Sequence, residues 1–234
     1  MIPIFAAAMA AAQSLPQASP KTATKSGTTA KKAVVTRPSL YRPSSLKDTA
    51  PEQFRARFTT TKGDIVVEVT RAMAPLGADR FYNLVKYGFY NGEAFFRVVA
   101  GFAAQFGLSP TPAVNIAWEN AKITDDPVQG SNVRGTLAFA TSGPNTRTTQ
   151  LFISLRDNAY LDASGFAPFG RVIEGMDVAD KLYSGYGDKP NLASDRITKE
   201  GAAFLKANFP ELDLITKAII EPPAAPTAAP KGTP

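Results

Sequence analysis

Short apolar runs of strand length, set apart by turn residues, recur through the middle of this chain and constrain its fold more than any other feature. Phe54, Ala56 and Phe58 alternate with polar residues, Lys62-Gly63 supplies a turn, and Ile65, Val67 and Val69 alternate again, which predicts a β-hairpin. Further runs follow at residues 94–99, 135–140, 151–155 and 166–172. Two helical patterns accompany them. Pro75 sits where a first helical turn accepts proline, Ala78, Phe81 and Val85 recur at helical spacing with Leu84 beside them, and Gly88 can end that helix. A second helix starts near Met176 and runs through Val178, Ala179 and Leu182. Many short strands with two flanking helices predict a mainly β domain, a mostly antiparallel sheet or barrel. The stretch 108–132, with the single tryptophan Trp118 and the turn-prone Asp125-Asp126-Pro127, shows no clear period and lies between two segments that carry candidate site residues.

With 234 residues, 44% of them hydrophobic, the chain has enough material for one sizeable core plus tails. It contains neither cysteine nor histidine. That excludes Ser-His-Asp and Cys-His nucleophiles, imidazole or thiolate zinc, and disulfides, so no metal or cofactor is expected. Chemistry must run on arginine, lysine, carboxylates, amides and hydroxyls. The net charge of +6 suggests nucleic acid until it is located: residues 1–50 hold seven lysines and arginines against Asp48 alone, leaving 19 basic and 19 acidic groups in residues 51–234. The folded part is neutral, and no nucleic-acid partner is expected.

Residues 2–12 are an apolar, alanine-rich run too short to span a bilayer but of signal-core length, followed by small residues. No lysine or arginine precedes it, a departure from the signal pattern. The expectation is a signal-like segment at 1–20 and export, to the periplasm in a bacterial setting, with a cytoplasmic location if the run is not a signal; no transmembrane span is expected in the mature chain. Residues 21–50 read as a basic flexible linker, because their Ser/Thr/Ala/Lys/Pro composition buries too little to offset ordering entropy. The ordered domain is expected at 51–221, and 222–234 is a Pro/Ala-rich tail.

The stretch 95–105 reads as a site. Strand alternation puts Phe95, Arg97 and Val99 on one face, and a bend at Gly101 brings Phe102 and Gln105 beside Arg97. Taken alone, an ordinary solvated arginine next to a core phenylalanine is the commoner arrangement.

Several spaced blocks change that balance. Gly88-Phe89-Tyr90-Asn91-Gly92, Phe95-Phe96-Arg97-Val98, Gly101-Phe102, Gln105, Arg134-Gly135-Thr136-Leu137-Ala138-Phe139-Ala140, Gly143-Pro144-Asn145-Thr146, Gln150-Leu151-Phe152-Ile153, Leu161-Asp162 and Phe169-Gly170-Arg171-Val172 occur in one order. In that order they resemble the cyclophilin family of peptidyl-prolyl cis-trans isomerases, from about Phe54 to Leu182. The resemblance implies a closed eight-stranded antiparallel barrel capped by two helices. It implies Arg97 as the catalytic arginine, Phe102 as a wall of the proline pocket and Gln105 as the partner orienting Arg97. It further implies substrate contacts at Ala103, Ala140, Thr141, Gln150, Phe152, Tyr160, Leu161 and Phe166. Departures from the family pattern are Phe96 and Phe166 where histidine is usual, Ala100 for proline, Ala103 for methionine, Phe106-Gly107-Leu108 for Gly-Gly-Asp, Thr141 for asparagine and Tyr160 for tryptophan.

Rotation about an X-Pro bond makes and breaks no σ bond, so a chain without cysteine or histidine is equipped for it. The expected partners are proline-containing peptides and unfolded proteins, with the protein acting as a monomer and a folding catalyst. Two alternatives stand beside this reading. One is a non-catalytic proline-peptide-binding chaperone or scaffold module. The other is a two-carboxylate hydrolase built on Asp125 and Asp126, although a loop pair next to Pro127 is better explained as turn chemistry.

Overall fold

The structure is a computed structural model and describes residues 38–221. The signal-like segment at 1–20, the first part of the basic linker and the tail at 222–234 lie outside the described residues.

The expected hairpin forms from β1 (Gln53–Thr60) and β2 (Gly63–Thr70), in register from Gln53 opposite Thr70 to Thr60 opposite Gly63. The turn residues are therefore Thr61 and Lys62, one place earlier than the sequence suggests. α1 (Pro75–Lys86) follows with proline in its first turn, and Ala78, Phe81, Leu84 and Val85 are all buried, as an apolar stripe requires. It ends at Lys86. Gly88, at φ +77°, then allows the backbone N–H groups of Gly88 and Phe89 to bond the Val85 and Leu84 carbonyls at 3.0 and 2.8 Å.

The remaining strands are β3 (Glu93–Ala94), β4 (Arg97–Val99), β5 (Ala103–Phe106), β6 (Thr136–Phe139), β7 (Leu151–Ser154), β8 (Pro168–Glu174) and β9 (Leu214–Ile220). They form one sheet in the order β3-β9-β1-β2-β8-β6-β7-β5-β4, antiparallel throughout. The expected closed, eight-stranded barrel is thus corrected to a nine-stranded curled sheet among the described residues. The difference has a local cause. The run at 94–99 does not stay in one strand: β3 and β4 lie at opposite ends of the sheet order, no ladder joins them, and Phe95-Phe96 carries the chain between them. That break also shifts the alternation. Phe95 enters the main core with Val98 instead of sharing a face with Arg97, and Phe96 enters a separate cluster.

The main core is aromatic. Phe58 and Tyr90 meet Phe106 edge-on at 5.5 and 5.4 Å, and Phe81, from α1, lies 5.5 Å from Phe169. Truncating one such fully buried ring typically costs about 3–5 kcal/mol, so α1 is fixed to the sheet by packing rather than by helix propensity.

The expectation of two helices is also corrected: six α-helices occur among the described residues. α2 (Pro112–Trp118) lies inside the stretch that showed no period, and α3 (Met176–Asp180) stops short of Leu182. α4 (Lys189–Leu192), α5 (Ser194–Glu200) and α6 (Ala202–Asn208) fill a segment whose sequence gave no helix expectation. Ile197, Phe204 and Leu205 from this segment, with Leu212 just after it, cover Phe96, Ala94 and Leu108 in a second apolar cluster.

Residues 38–50 are not a free linker. Trp118 donates its indole N–H to the Leu40 carbonyl at 2.8 Å, the Ala50 N–H donates to Asp79 at 2.8 Å, and Asn83 exchanges hydrogen bonds with the Asp48 backbone at 3.1 and 2.6 Å. Ala50 itself belongs to the main core. No helix among the described residues is long and apolar enough to cross a membrane.

Candidate functional site

The site is built on the β4–β5 hairpin. Gly101, at φ +67°, lets the chain reverse, and the Phe102 N–H bonds the Val99 carbonyl at 2.9 Å. The register then sets Arg97 opposite Gln105 and Val99 opposite Ala103. On the far side of β5, Gln105 stands opposite Phe152 of β7. Three side chains from two neighbouring strand pairs are thus placed by ladder geometry alone.

A cleft of about 420 Å³ opens over this patch. Arg97, Phe102, Ala103, Gln105 and Gln150 line it, as do Ala140, Thr141, Phe152, Leu161 and Phe166. Its floor is apolar and separate from the main core: Ala103, Ala138, Phe152 and Leu161 form one cluster, with Phe102, Ala140 and Phe166 packed against it. Phe166 meets Phe152 edge-on at 5.7 Å, which adds a second aromatic ring to the floor. Tyr160 is the exception among the expected residues. It is 57% exposed, stands on the outer side of the 3-10 turn Ala159–Ser164, and does not line the cleft.

The polar edge is a relay of hydrogen bonds. Arg97 donates Nη1 to Gln105 Oε1 at 3.3 Å, and Gln105 donates Nε2 to Gln150 Oε1 at 2.9 Å. The guanidinium lies over the Phe102 ring, 5.3 Å from its centroid. Arg97 also donates Nε to Asp188 Oδ1.

Each wall is tied down from behind. The Phe102 carbonyl accepts from the Leu155 N–H at 2.8 Å and from Asn158 Nδ2 at 3.0 Å. The Phe166 carbonyl accepts from Asn132 Nδ2 at 2.8 Å, and Asn132 is bound in turn to Asp162. Burial pushes the Asp162 carboxyl up, but hydrogen bonds from Ser131 and Asn132 outweigh it and hold the group below the usual carboxylate range. On the opposite wall, Asp125 and Asn145 exchange hydrogen bonds at 2.8 and 2.6 Å, and Arg80 donates to the Thr148 carbonyl at 2.8 Å. Burial lowers the Arg80 guanidinium to about 10, which still leaves it charged at neutral pH.

The pair considered for hydrolysis has structural work. Asp126 is buried, accepts the first N–H groups of α1 from Leu76 and Gly77 at 3.0 and 2.8 Å, and pairs with the buried Arg147 at 3.1 Å. Asp125 pairs with the same arginine at 3.1 Å. Neither carboxylate lines the cleft described above.

Sequence reasoning missed the third wall. Asn191 and Ser194, from α4 and α5, line the same cleft, and Asp188 precedes them. The only available signal was local: Asp188-Lys189-Pro190 has the form of a helix start, with proline in the first turn. Ser142, Thr146 and Thr148 were also unassigned and line the cleft beside Thr141.

An apolar ring-sized floor beside a fixed cation suits a neutral ligand with one electron-rich atom. Comparison with known proteins agrees. Residues 55–202 match the family described as cyclophilin type peptidyl-prolyl cis-trans isomerase/CLD. A peptidyl-prolyl cis-trans isomerase of Acinetobacter baylyi is 43% identical over 129 residues, covering 53% of this chain and 68% of that protein. Peptidyl-prolyl cis-trans isomerase A of Dickeya dadantii is 35% identical over 163 residues, covering 63% and 83%. Among solved structures, a cyclophilin from Hirschia baltica superposes with a TM-score of 0.55 at 19% identity, covering 78% of this chain and 82% of that one.

Proposed function

This chain belongs to the cyclophilin-type peptidyl-prolyl cis-trans isomerases, and from that premise we propose that Arg97 drives X-Pro rotation by hydrogen bonding to the twisted amide. The amide resists rotation with a barrier of about 18–20 kcal/mol because resonance must be broken. In the transition state the proline nitrogen is pyramidal and carries a lone pair that the planar amide lacks. A guanidinium that stays protonated donates to that nitrogen, and it does so better beside an apolar floor than in water. Stabilising the twisted form by about 7 kcal/mol relative to the ground state gives on the order of 10⁵-fold acceleration. Phe102, Phe152, Leu161 and Phe166 hold the ring while the preceding carbonyl turns.

The observation that carries this reading is the joint placement of Arg97, Gln105 and the separate apolar cluster in one cleft. The substrates are proline-containing peptides. A protease-coupled assay of cis-to-trans conversion on a short Xaa-Pro peptide tests it: the wild type accelerates conversion, and Arg97→Ala lowers kcat/KM at least tenfold at nearly unchanged melting temperature. A folded Arg97→Ala protein with wild-type turnover would assign the site to peptide binding alone.

Other features extend the proposal. The neutral charge of residues 51–234 supports a domain that does not bind nucleic acid, which a gel-shift titration checks, and sedimentation tests the expected monomer. The apolar run at 2–12 supports export, checked by fractionation of the expressed full chain.

A further inference from the structure

Asp188 stands at the N-cap position of α4, where aspartate ordinarily accepts a hydrogen bond from the first turn of its own helix. It makes no such bond. Its carboxylate turns away from the helix and accepts from Arg97 Nε.

The backbone makes this pairing a matter of register. Gly187 forms an isolated antiparallel bridge with Val98, so the neighbouring residues Asp188 and Arg97 are brought side by side. The segment behind them is anchored twice more: Ile197 of α5 is fully buried in the second apolar cluster, and Asn115 of α2 reaches the Thr198 carbonyl at 3.5 Å. Asp188 is therefore delivered by a rigid part of the molecule although its side chain is 55% exposed.

The guanidinium of Arg97 is held on three sides. Asp188 takes Nε, Gln105 takes Nη1, and the Phe102 ring lies under the plane. Among the described residues Nη2 has no partner, which leaves one N–H edge for a substrate. Resting on the isomerase reading above, we propose that Asp188 is a positioning residue: it fixes the rotation of the Arg97 plane so that Nη2 is presented to the twisted amide. An arginine side chain free to turn about its last bonds presents that edge only part of the time, so losing Asp188 lowers kcat more than it raises KM.

The test compares Asp188→Ala, Asp188→Asn and Arg97→Ala with the wild type in the coupled assay, with melting temperatures alongside. Asp188→Ala is expected to lower kcat about three- to tenfold with KM changed less than twofold. Asp188→Asn keeps an acceptor oxygen and is expected to recover most of that loss. In an Arg97→Lys background, which lacks Nε, adding Asp188→Ala is expected to have no further effect. A ¹⁵N–¹H spectrum gives a readout independent of turnover: the Arg97 Nε–H signal exchanges slowly in the wild type and rapidly in Asp188→Ala. Equal or higher kcat in Asp188→Ala, a loss that persists undiminished in the Arg97→Lys background, or an unchanged Nε–H signal each overturns the proposal. If the wild type is active and Arg97→Ala is not, such a result overturns the role of Asp188 alone, whereas an inactive wild type overturns the isomerase reading and this inference together.

Discussion

Arg97 and Gln105 face each other across the β4–β5 hairpin, and the 3.3 Å hydrogen bond between them continues through Gln105 to Gln150 at 2.9 Å. The cation is therefore oriented by an amide that is itself oriented.

Removing that amide separates orientation from charge. Gln105→Ala keeps the guanidinium and its contact with Phe102, so kcat/KM is expected to fall about three- to tenfold, on the order of 0.6–1.4 kcal/mol of transition-state stabilisation and less than in Arg97→Ala. The coupled assay on both variants decides: a Gln105→Ala loss equal to that of Arg97→Ala would mean that the glutamine touches substrate itself.

Tyr160 presents a contrasting case. The family resemblance places it at the site, yet its side chain is exposed and outside the cleft. Tyr160→Ala is expected to change kcat/KM on a short Xaa-Pro peptide by less than threefold. A tenfold loss would show that bound peptide reaches past the cleft to this turn.

Residues 38–50 are expected to support the domain. A chain beginning at residue 51 loses the Leu40 carbonyl from Trp118, the Ala50 N–H from Asp79 and the Asp48 backbone from Asn83. At about 1 kcal/mol for each hydrogen bond, its melting temperature is expected to lie roughly 5–10 °C below that of a chain beginning at residue 38. Equal melting temperatures would return this segment to the role of a passive linker.

Glu93 gives a pH signature. It is fully buried in β3, and burial pushes its carboxyl well above the ordinary value of 4.5. The nearby Gly107 N–H counters this only in part, and neither carboxyl oxygen has a hydrogen-bond partner. In the unfolded chain the group loses its proton near its ordinary value, while the folded protein retains it to higher pH. The folded state then binds more protons, and stability falls as pH rises above the unfolded value. Glu93→Gln removes this slope. Its melting temperature relative to wild type is expected to rise by about 3 °C or more between pH 4.5 and pH 8, the equivalent of about 1 kcal/mol in a domain of this size. A constant difference across that range would show that Glu93 titrates alike in both states.

What the sequence revealed about the site depended on how locally each contact is made. The hairpin that joins Arg97 to Gln105 spans nine residues with a glycine at its turn, and alternation suffices to place both. The stripe of α1 was legible for the same reason. Phe95 was misplaced because a two-residue break in the strand reverses alternation, and nothing in Phe95-Phe96 distinguishes a break from a continuous strand. Asp188 was out of reach because its partner lies 91 residues away, and its own neighbours suggest only a helix start. The packing of residues 38–50 was hidden for another reason. Trp118 binds a main-chain carbonyl there, which composition does not register. Phe96, a departure from the family pattern, acquires a physical cause in the structure, since α5 and α6 cover it with apolar side chains.

The sheet order also governs when this protein completes its fold during synthesis. β9, the last strand among the described residues, lies between β1 and β3, pairing Thr60 and Glu93 alike through Ile215. From the time Thr60 is added until Leu214 follows, that edge of β1 has no strand to pair with. At about 5–20 residues per second the interval is roughly 8–30 s, long compared with hairpin formation in microseconds. An open strand edge invites pairing with other chains. Translation speed, and whatever shields β1 on the ribosome, therefore set the yield of folded enzyme before its own activity begins.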